Sequence, residues 1–450
     1  MKYMTNINEY IGNTIECECG RNHSIDIDKI VISHDAWQKL AEYIEEKGYK
    51  HIYLVADLNT YEAAGKDIGA ALKSAHTDYK IHVIEQDEPV PDEHVMGELF
   101  MDRPKDTDLV VAVGSGVIND MCKFISFHTN TDYVICGTAP SMDGFLSEGA
   151  PLMYKHMKIS YDAHGPRAAF FDPRVLAAAP MELISAGLGD LLGKYTCLLD
   201  WKIAHLITGE YYCQTVVSMV ESALDIVTNC TDSIISRDEE TITALTKGLL
   251  IAGIAMYFVG NSRPASGCEH HMSHYWEMQS LMHGQAPAYH GQAVGVNAVV
   301  ASFMYNQLIC EPIDFEACKK KPFDESAWKK RVEACYDQAA SGIFALEDEC
   351  GKNNFDARNK RIDLYAENWT ELVETVKNSL PATQEICEKL HSLGAPCTPK
   401  SLGIDTQELS DGIVLAKEVR NRYTLLQVLW DLGLLEEYSL RVVEFFEGAK

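Results

Sequence analysis

The sequence predicts an α/β protein in which a parallel-sheet domain (residues 1–180) precedes an all-helical domain (residues 181–450). Short β-branched runs alternate with amphipathic helical patterns up to about residue 140. Beyond the proposed boundary the pattern is helical, with almost no strand signal. Pro173 and Pro180 interrupt the pattern between the two parts and mark that boundary.

The first part reads as repeated strand and helix units. Strands are predicted at residues 29–33, 51–56, 80–84, 108–113 and 133–136. Helices are predicted at residues 37–46, 60–74, from Pro91, and at 117–127. Repeats of this kind indicate a mostly parallel sheet covered on both faces. In the second part the clearest helices are predicted at residues 181–208, 211–235, 239–259 and 423–435.

Composition narrows the possible functions. The chain has 450 residues, 46% of them hydrophobic and 23% charged, which excludes global disorder. A net charge of −27 argues against nucleic-acid binding and against docking to an anionic membrane. The longest apolar run, residues 249–260, is shorter than the ~18 residues of a membrane span. We therefore expect a cytoplasmic protein, without membrane insertion, that acts on a small molecule. We also expect it to form a homo-oligomer.

A tight cysteine and histidine group, Cys17, Cys19 and His23, stands near the start of the chain. A structural zinc site needs four ligands, and no fourth lies nearby in the sequence. The group is therefore predicted to be a surface hairpin, with most of the 14 cysteines reduced and buried.

Two small-residue segments follow predicted strands. Gly114, Ser115 and Gly116 open a helix, where a close backbone approach and free N–H groups suit a pyrophosphate. Asn119 replaces the third glycine of a GxGxxG fingerprint, so an ordinary tight turn is the alternative. Residues 138–147 follow the fifth strand and are typical of a ligand-binding loop, with a plain connection as the alternative.

Histidines are concentrated in one window. Five of the 16 lie between His270 and His290. His270 and His274 share a helix face because they are four residues apart, whereas Glu269 and His271 are predicted to point elsewhere. Two imidazoles and one carboxylate are typical of an open catalytic metal site.

Spacing alone does not identify the other ligands of such a site. His283 and His290 each begin a His-Gly-Gln word. Asp190 ends a Gly-Leu-Gly-Asp word that is predicted to open a helix, and it would supply the carboxylate or support the first turn of that helix. No glutamate lies between paired histidines in the HExxH manner.

The glycine turn, the 138–147 loop, the Gly-Leu-Gly-Asp motif and the histidine motifs occur in the same order in the iron-containing alcohol dehydrogenase and dehydroquinate synthase superfamily. The sequence resembles the bacterial branch of its sn-glycerol-1-phosphate dehydrogenases over residues 17–435. The resemblance implies a Rossmann-like domain followed by a helical domain, as in dehydroquinate synthase. It is carried by the words at residues 114–120, 138–144, 187–190, 262–270 and 290–295. One departure is Gly-Ser-Gly where many members read Gly-Gly-Gly.

The resemblance implies roles for individual residues. Asp190, His270 and His290 match metal ligands. Asp143, Asp190 and His274 match substrate-contacting positions, and the last two would be catalytic, with His274 relaying a proton. The NAD(P)-binding positions match Gly114, Ser115, Gly116, Val117, Ile118, Thr138, Ser141 and Ser147. Asp57, at the end of the second strand, would bond the adenosine ribose and so favour NAD over NADP.

The implied reaction is the reversible reduction of dihydroxyacetone phosphate to sn-glycerol 1-phosphate by NAD(P)H. One divalent ion would polarise the ketone. Zn²⁺ suits the ligand set, and Ni²⁺ or Fe²⁺ fits it too. Arg263 and Lys194 are the candidate partners of the phosphate. The alternatives are a glycerol dehydrogenase, a dehydroquinate synthase-like lyase, in which glutamate would bind the metal, and a non-catalytic metal- and nucleotide-binding module.

Overall fold

Six parallel strands form the main sheet of the N-terminal part of the protein. The computed structural model describes residues 7–86, 89–155, 157–229 and 231–448. Its strands are β1 (Ile15–Glu16), β2 (Asn22–His23), β3 (Lys29–Ile32), β4 (Ile52–Asp57), β5 (Tyr79–Ile84), β6 (Leu109–Gly114), β7 (Asp132–Gly137), β8 (Gly149–Tyr154), β9 (Met157–Asp162) and β10 (Ala168–Phe171).

The order of the main sheet is β3-β10-β7-β6-β4-β5, and every pairing in it is parallel. β4 and β6 are buried along their whole length, as strands covered on both faces require. All five predicted strands are present. The sixth, β10, lies between β3 and β7 and escaped prediction because its four residues, two alanines and two phenylalanines, include no β-branched side chain. β1–β2 and β8–β9 are antiparallel hairpins outside this sheet.

The helices up to residue 259 include most of those predicted from periodicity. They are α1 (Ala36–Lys47), α2 (Leu58–Thr60), α3 (Lys66–Ser74), α4 (Glu93–Asp102), α5 (Gly116–Thr129), α6 (Pro173–Ala178), α7 (Met181–Leu192), α8 (Lys194–Thr208), α9 (Gln214–Thr228), α10 (Thr231–Ile234) and α11 (Glu239–Val259). A π-helical turn, Tyr61–Gly65, joins α2 to α3. The predicted helix at residues 181–208 is two helices, because the chain breaks at Gly193.

The remaining helices carry the rest of the chain. They are α12 (Cys268–Met282), α13 (His290–Leu308), α14 (Phe315–Lys319), α15 (Glu325–Tyr336), α16 (Ala340–Cys350), α17 (Phe355–Ser379), α18 (Thr383–Ser392), α19 (Thr406–Leu415), α20 (Leu425–Asp431) and α21 (Leu435–Gly448). Their core contains fully buried side chains from α13, including Val296, Val300 and Met304. The predicted helix at residues 423–435 is the shorter α20, followed by α21.

The chain divides into two units, and the division differs from the single predicted boundary after residue 180. The N-terminal unit comprises Met1–Leu191 and Thr215–Ser262, and the C-terminal unit comprises Leu192–Gln214 and Arg263–Lys450. The long helix α11 belongs to the first unit because it packs on α6 and on residues 144–146. Gly253 permits this contact, since a Cβ there would lie 2.8 Å from the carbonyl oxygen of Asp143.

One described helix, α11, is long and apolar enough to cross a membrane by length and composition. Its most apolar window is 78% buried inside the unit. Burial of that extent is typical of a core helix, so α11 is weak evidence for a membrane span.

Candidate active site

The glycine turn lies between β6 and α5, at the carboxyl end of a central strand. A Cβ at Gly114 would lie 2.7 Å from the Ile118 side chain, so a larger residue would collide with α5. Around Gly116, the first residue of α5, a Cβ would meet only Met142, at 3.5 Å. Room is therefore left beside the first turn of α5, which contains Val117. Its N–H groups make the kind of helix end that binds anions.

The 138–147 loop is joined to this turn. The Thr138 N–H donates to the Gly114 carbonyl at 3.1 Å, and the hydroxyls of Ser115 and Ser141 share a short hydrogen bond. Both segments therefore meet at the carboxyl edge of the sheet, which is where doubly wound α/β proteins bind ligands.

Lys123 of α5 binds the 138–147 loop, a role that no sequence pattern predicted. Its fully buried ammonium donates to the carbonyl of Gly144 at 3.0 Å, to the carbonyl of Gly149 at 2.9 Å and to Ser147 Oγ at 3.2 Å. Asp120 completes its surroundings at 3.4 Å. Burial lowers the pKa of Lys123 and raises the pKa of Asp120. We assign Lys123 a positioning role, because its donors are already bonded to the protein.

Asp190 is fully buried in the last turn of α7, so the prediction that it opens a helix is wrong. The helix begins instead at Met181, directly after Pro180. The Asp190 carboxylate accepts a hydrogen bond from the Asp143 N–H at 3.0 Å, which brings the two predicted substrate-contacting acids of this unit together. Gly187 allows this, since a Cβ there would lie 1.8 Å from the Pro140 carbonyl oxygen.

Asp57 ends β4, at the same edge of the sheet as the glycine turn. One of its carboxylate oxygens accepts from the Thr60 N–H at 2.7 Å and caps α2. Burial raises the pKa of this carboxyl. The helix cap is thus the contact that the structure shows for Asp57, and its predicted bond to a ribose stays a prediction.

Three histidine rings converge in the C-terminal unit. The ring centroids of His270 and His290 are 5.2 Å apart, and His274 lies 6.3 Å from the first and 5.4 Å from the second. His290 reaches the group because it is the first residue of α13. His283 is exposed and bonds to the Gln279 carbonyl at 2.8 Å. The two His-Gly-Gln words therefore differ, and only the second places its histidine beside His270.

Glu269 orients His270, so the prediction that this glutamate points elsewhere is wrong. His270 Nδ1 lies 2.7 Å from the buried Glu269 carboxylate, which also accepts from the Thr196 hydroxyl at 2.6 Å. Although burial alone would raise the pKa of Glu269, His270 and Thr196 hold it below its ordinary value. A carboxylate on Nδ1 fixes the tautomer and the orientation of an imidazole ring, as it does in many histidines that bind metals. His271 lies fully buried, and burial holds its pKa well below the ordinary value.

The two cations predicted to bind phosphate are engaged by the protein itself. Arg263 is buried, forms a bidentate pair with Glu210 at 2.9 Å and donates to the Tyr423 carbonyl at 2.6 Å. Lys194 is buried and donates to the Ala265 carbonyl at 3.0 Å. Arg263 and Ala265 belong to the Ser-Arg-Pro-Ala-Ser-Gly motif at residues 262–267. Through their contacts with Glu210, Tyr423 and Lys194 they anchor the segment that leads into α12.

A different guanidinium lies beside the histidines. Arg420 Nη2 is 3.3 Å from His274 Nε2, and among the described residues Arg420 makes no ion pair with a carboxylate. Arg422 donates to the Ser266 carbonyl at 2.9 Å. Burial and the charge of Arg420 lower the pKa of Arg422 to about 9. Together the two arginines make this corner of the unit cationic, although the whole chain carries −27.

Comparison with known proteins identifies the fold and the family of this chain. Residues 31–180 match the family model described as iron-containing alcohol dehydrogenase. A solved structure of a probable glycerol dehydrogenase from Sinorhizobium meliloti superposes with a TM-score of 0.62 at 15% identity, covering 94% of this chain and 98% of that one. An iron-containing alcohol dehydrogenase from Thermococcus thioreducens gives a TM-score of 0.60 at 16% identity, with 94% and 99% covered. At these identities the likeness shows the fold.

Full-length relatives are more specific. A protein of Geobacillus thermodenitrificans named glycerol-1-phosphate dehydrogenase [NAD(P)+] is 32% identical over 94% of this chain and 96% of its own length. A protein of the same name from Halalkalibacterium halodurans is 37% identical over 70% of this chain and 80% of its length. The chain therefore belongs to the glycerol-1-phosphate dehydrogenase family of the iron-containing alcohol dehydrogenase superfamily.

Proposed function

We propose that this protein reduces dihydroxyacetone phosphate to sn-glycerol 1-phosphate, reversibly, with NAD(P)H and one divalent metal ion. Family membership supports the reaction class, because the relatives carry the name glycerol-1-phosphate dehydrogenase [NAD(P)+]. The observation that carries the choice of a phosphorylated substrate is Arg420. Its guanidinium lies 3.3 Å from His274 Nε2, and it makes no ion pair with a carboxylate of the described chain, although Glu277 lies close enough to attract it. The direct test is NADH oxidation by the metal-loaded protein when dihydroxyacetone phosphate is added, with glycerol phosphate as the product.

Asp190, His270 and His290 are the proposed metal ligands. The donor set fits a divalent ion, since the contact of His270 Nδ1 with Glu269 turns the Nε2 edge of that ring away from Glu269, and the His290 ring lies 5.2 Å away. Asp190, which is fully buried, is proposed to supply the carboxylate. When bound, the ion would act as a Lewis acid on the substrate carbonyl. We propose Zn²⁺, and Ni²⁺ or Fe²⁺ suits the same donors.

The nicotinamide cofactor is proposed to lie along the carboxyl edge of the main sheet. The first turn of α5 would bind its pyrophosphate through backbone N–H groups. Thr138, Ser141 and Ser147 would position the cofactor from the adjoining loop, which Lys123 holds in place. Asp57 at the end of β4 would favour NAD over NADP, because a carboxylate repels a 2′-phosphate.

Replacing Gly116 with valine tests the cofactor site. We expect the KM for NADH to rise at least about tenfold, because the new side chain would occupy the space where a pyrophosphate approaches the helix end. Thermal stability should change little, since the nearest atom to a Cβ at Gly116 is 3.5 Å away. Steady-state kinetics and a melting curve measure both effects.

Gly97→Val is the matched control, because Gly97 lies on α4 with nothing within 4 Å of its Cβ position. It should leave the KM for NADH unchanged. An unaltered KM for NADH in a folded Gly116→Val protein would mean that the cofactor does not bind at this turn.

His274 is the proposed proton relay to the reduced carbonyl oxygen. Glu277 lies 3.5 Å from its Nδ1, and Arg420 lies 3.3 Å from its Nε2. The His274 ring lies on the face of α12 that also carries His270. Asp143, whose N–H is bonded to Asp190, is also proposed to contact the substrate.

Arg420→Met tests the recognition of the phosphate. We expect kcat/KM for dihydroxyacetone phosphate to fall by roughly 10- to 100-fold, since a charge-assisted hydrogen bond contributes about 1.5–3 kcal/mol. Activity on dihydroxyacetone should change by less than about twofold, because that ketone has no phosphate to lose. Parallel kinetics on the two ketones measure the difference.

Arg331→Met supplies the control, because Arg331 pairs with Asp411 and Glu436 and lies apart from the histidines. This substitution should leave kcat/KM unchanged for both ketones. An equal loss on both ketones in Arg420→Met would mean that Arg420 supports His274 rather than the phosphate.

A further inference from the structure

The N-terminal hairpin gathers three metal-binding side chains that the dehydrogenase reaction does not use. Cys17 lies just after β1, and His23 ends β2. Gly20, at φ +84°, closes the turn between them by donating its N–H to the Cys17 carbonyl at 3.1 Å. The sulfurs of Cys17 and Cys19 and a ring nitrogen of His23 lie within 4.8 Å of one another. Cys19 Sγ is 3.4 Å from His23 Nε2.

His23 is held in the manner of a metal ligand. It is 1% exposed, and its ring stacks on Phe258 with centroids 5.2 Å apart. Its Nδ1 lies 3.2 Å from the Phe258 carbonyl oxygen. A carbonyl can only accept, so Nδ1 donates and the Nε2 lone pair faces the Cys19 sulfur. Such a backbone contact is the usual outer partner of a zinc-bound histidine.

We propose that Cys17, Cys19 and His23 bind a structural zinc ion, separate from the metal of the dehydrogenase site. Sulfur donors together with an imidazole select zinc. The proposed dehydrogenase ligands, by contrast, are imidazoles and a carboxylate. This proposal does not rest on the dehydrogenase reaction.

The hairpin also contacts the start of α9. The Cys17 thiol donates to the hydroxyl of Thr215, the second residue of α9, at 3.2 Å. Almost 200 residues separate these two positions, so sequence spacing could not associate them. Zinc at this place would fasten the N-terminal hairpin beside α9, and a water molecule would complete the four ligands that zinc takes.

Metal analysis of the purified full-length protein tests the proposal. Cys19→Ser should lose one zinc ion per chain relative to the wild type and keep the metal that His290→Ala removes. Cys310→Ser, which changes an exposed cysteine, should match the wild type. Full zinc retention in Cys19→Ser would overturn the site.

Cobalt replacement keeps the proposal testable if a cysteine variant fails to fold. Wild-type protein loaded with Co²⁺ should show a sulfur-to-cobalt charge-transfer band, and it should persist in His290→Ala. A ligand set of imidazole and carboxylate alone cannot produce that band. Its absence from the fully loaded wild-type protein would overturn the proposal, whatever the outcome for the dehydrogenase metal.

Discussion

Dihydroxyacetone phosphate should be reduced with a kcat/KM roughly 10² to 10⁵ times that for dihydroxyacetone. A site that binds a phosphate dianion leaves its donors unpaired when the phosphate is missing, and each such group costs about 1–3 kcal/mol. Arg420, which lies 3.3 Å from His274, is the donor that we propose for the phosphate. The lost binding energy also lowers kcat where it serves to position the carbonyl.

The comparison requires equal metal loading and saturating NADH for both ketones. The net charge of −27 makes it more informative, because only a locally cationic pocket would attract a dianion to this protein. A ratio near one, or faster oxidation of unphosphorylated glycerol in the reverse direction, would favour a glycerol dehydrogenase. Conversion of a seven-carbon sugar phosphate would favour a dehydroquinate synthase-like lyase.

His290→Ala should abolish reduction and lower the metal affinity of the dehydrogenase site by at least about a hundredfold. The substitution removes one of three proposed ligands, and the His270 ring 5.2 Å away would lose its partner in binding the ion. Metal content after gel filtration and the rate of NADH oxidation measure the two effects.

His283→Ala is the matched control, since it changes the same His-Gly-Gln word at an exposed position bonded to Gln279. It should retain both metal and activity. If His283→Ala loses the metal while His290→Ala keeps it, the ligand assignment is wrong.

Local patterns account for what could be predicted from the sequence. The predicted strands β4, β6 and β7 are apolar runs whose burial on both faces needs no knowledge of their partners, and α11 ends at Val259 as its periodicity predicts. The clustering of His270, His274 and His290 was visible as an excess of histidine in one window. Ring convergence then favours His290 over His283, which spacing alone left open.

The remainder depends on partners distant in the chain. Asp190 reads as a helix start because glycines precede it, but Gly187 is there to let α7 approach Pro140. Lys123 looks like an exposed helix residue until the loop that it holds is known. Arg420 comes near His274 only through the packing of segments almost 150 residues apart.

The stereochemistry of the product tests the central claim most directly. The metal-loaded protein should be incubated with NADH and dihydroxyacetone phosphate, and the glycerol phosphate formed should be resolved into its two enantiomers. We predict sn-glycerol 1-phosphate in an amount equal to the NADH oxidised. Formation of the 3-phosphate enantiomer, or no NADH oxidation by fully loaded protein, would contradict the proposed function.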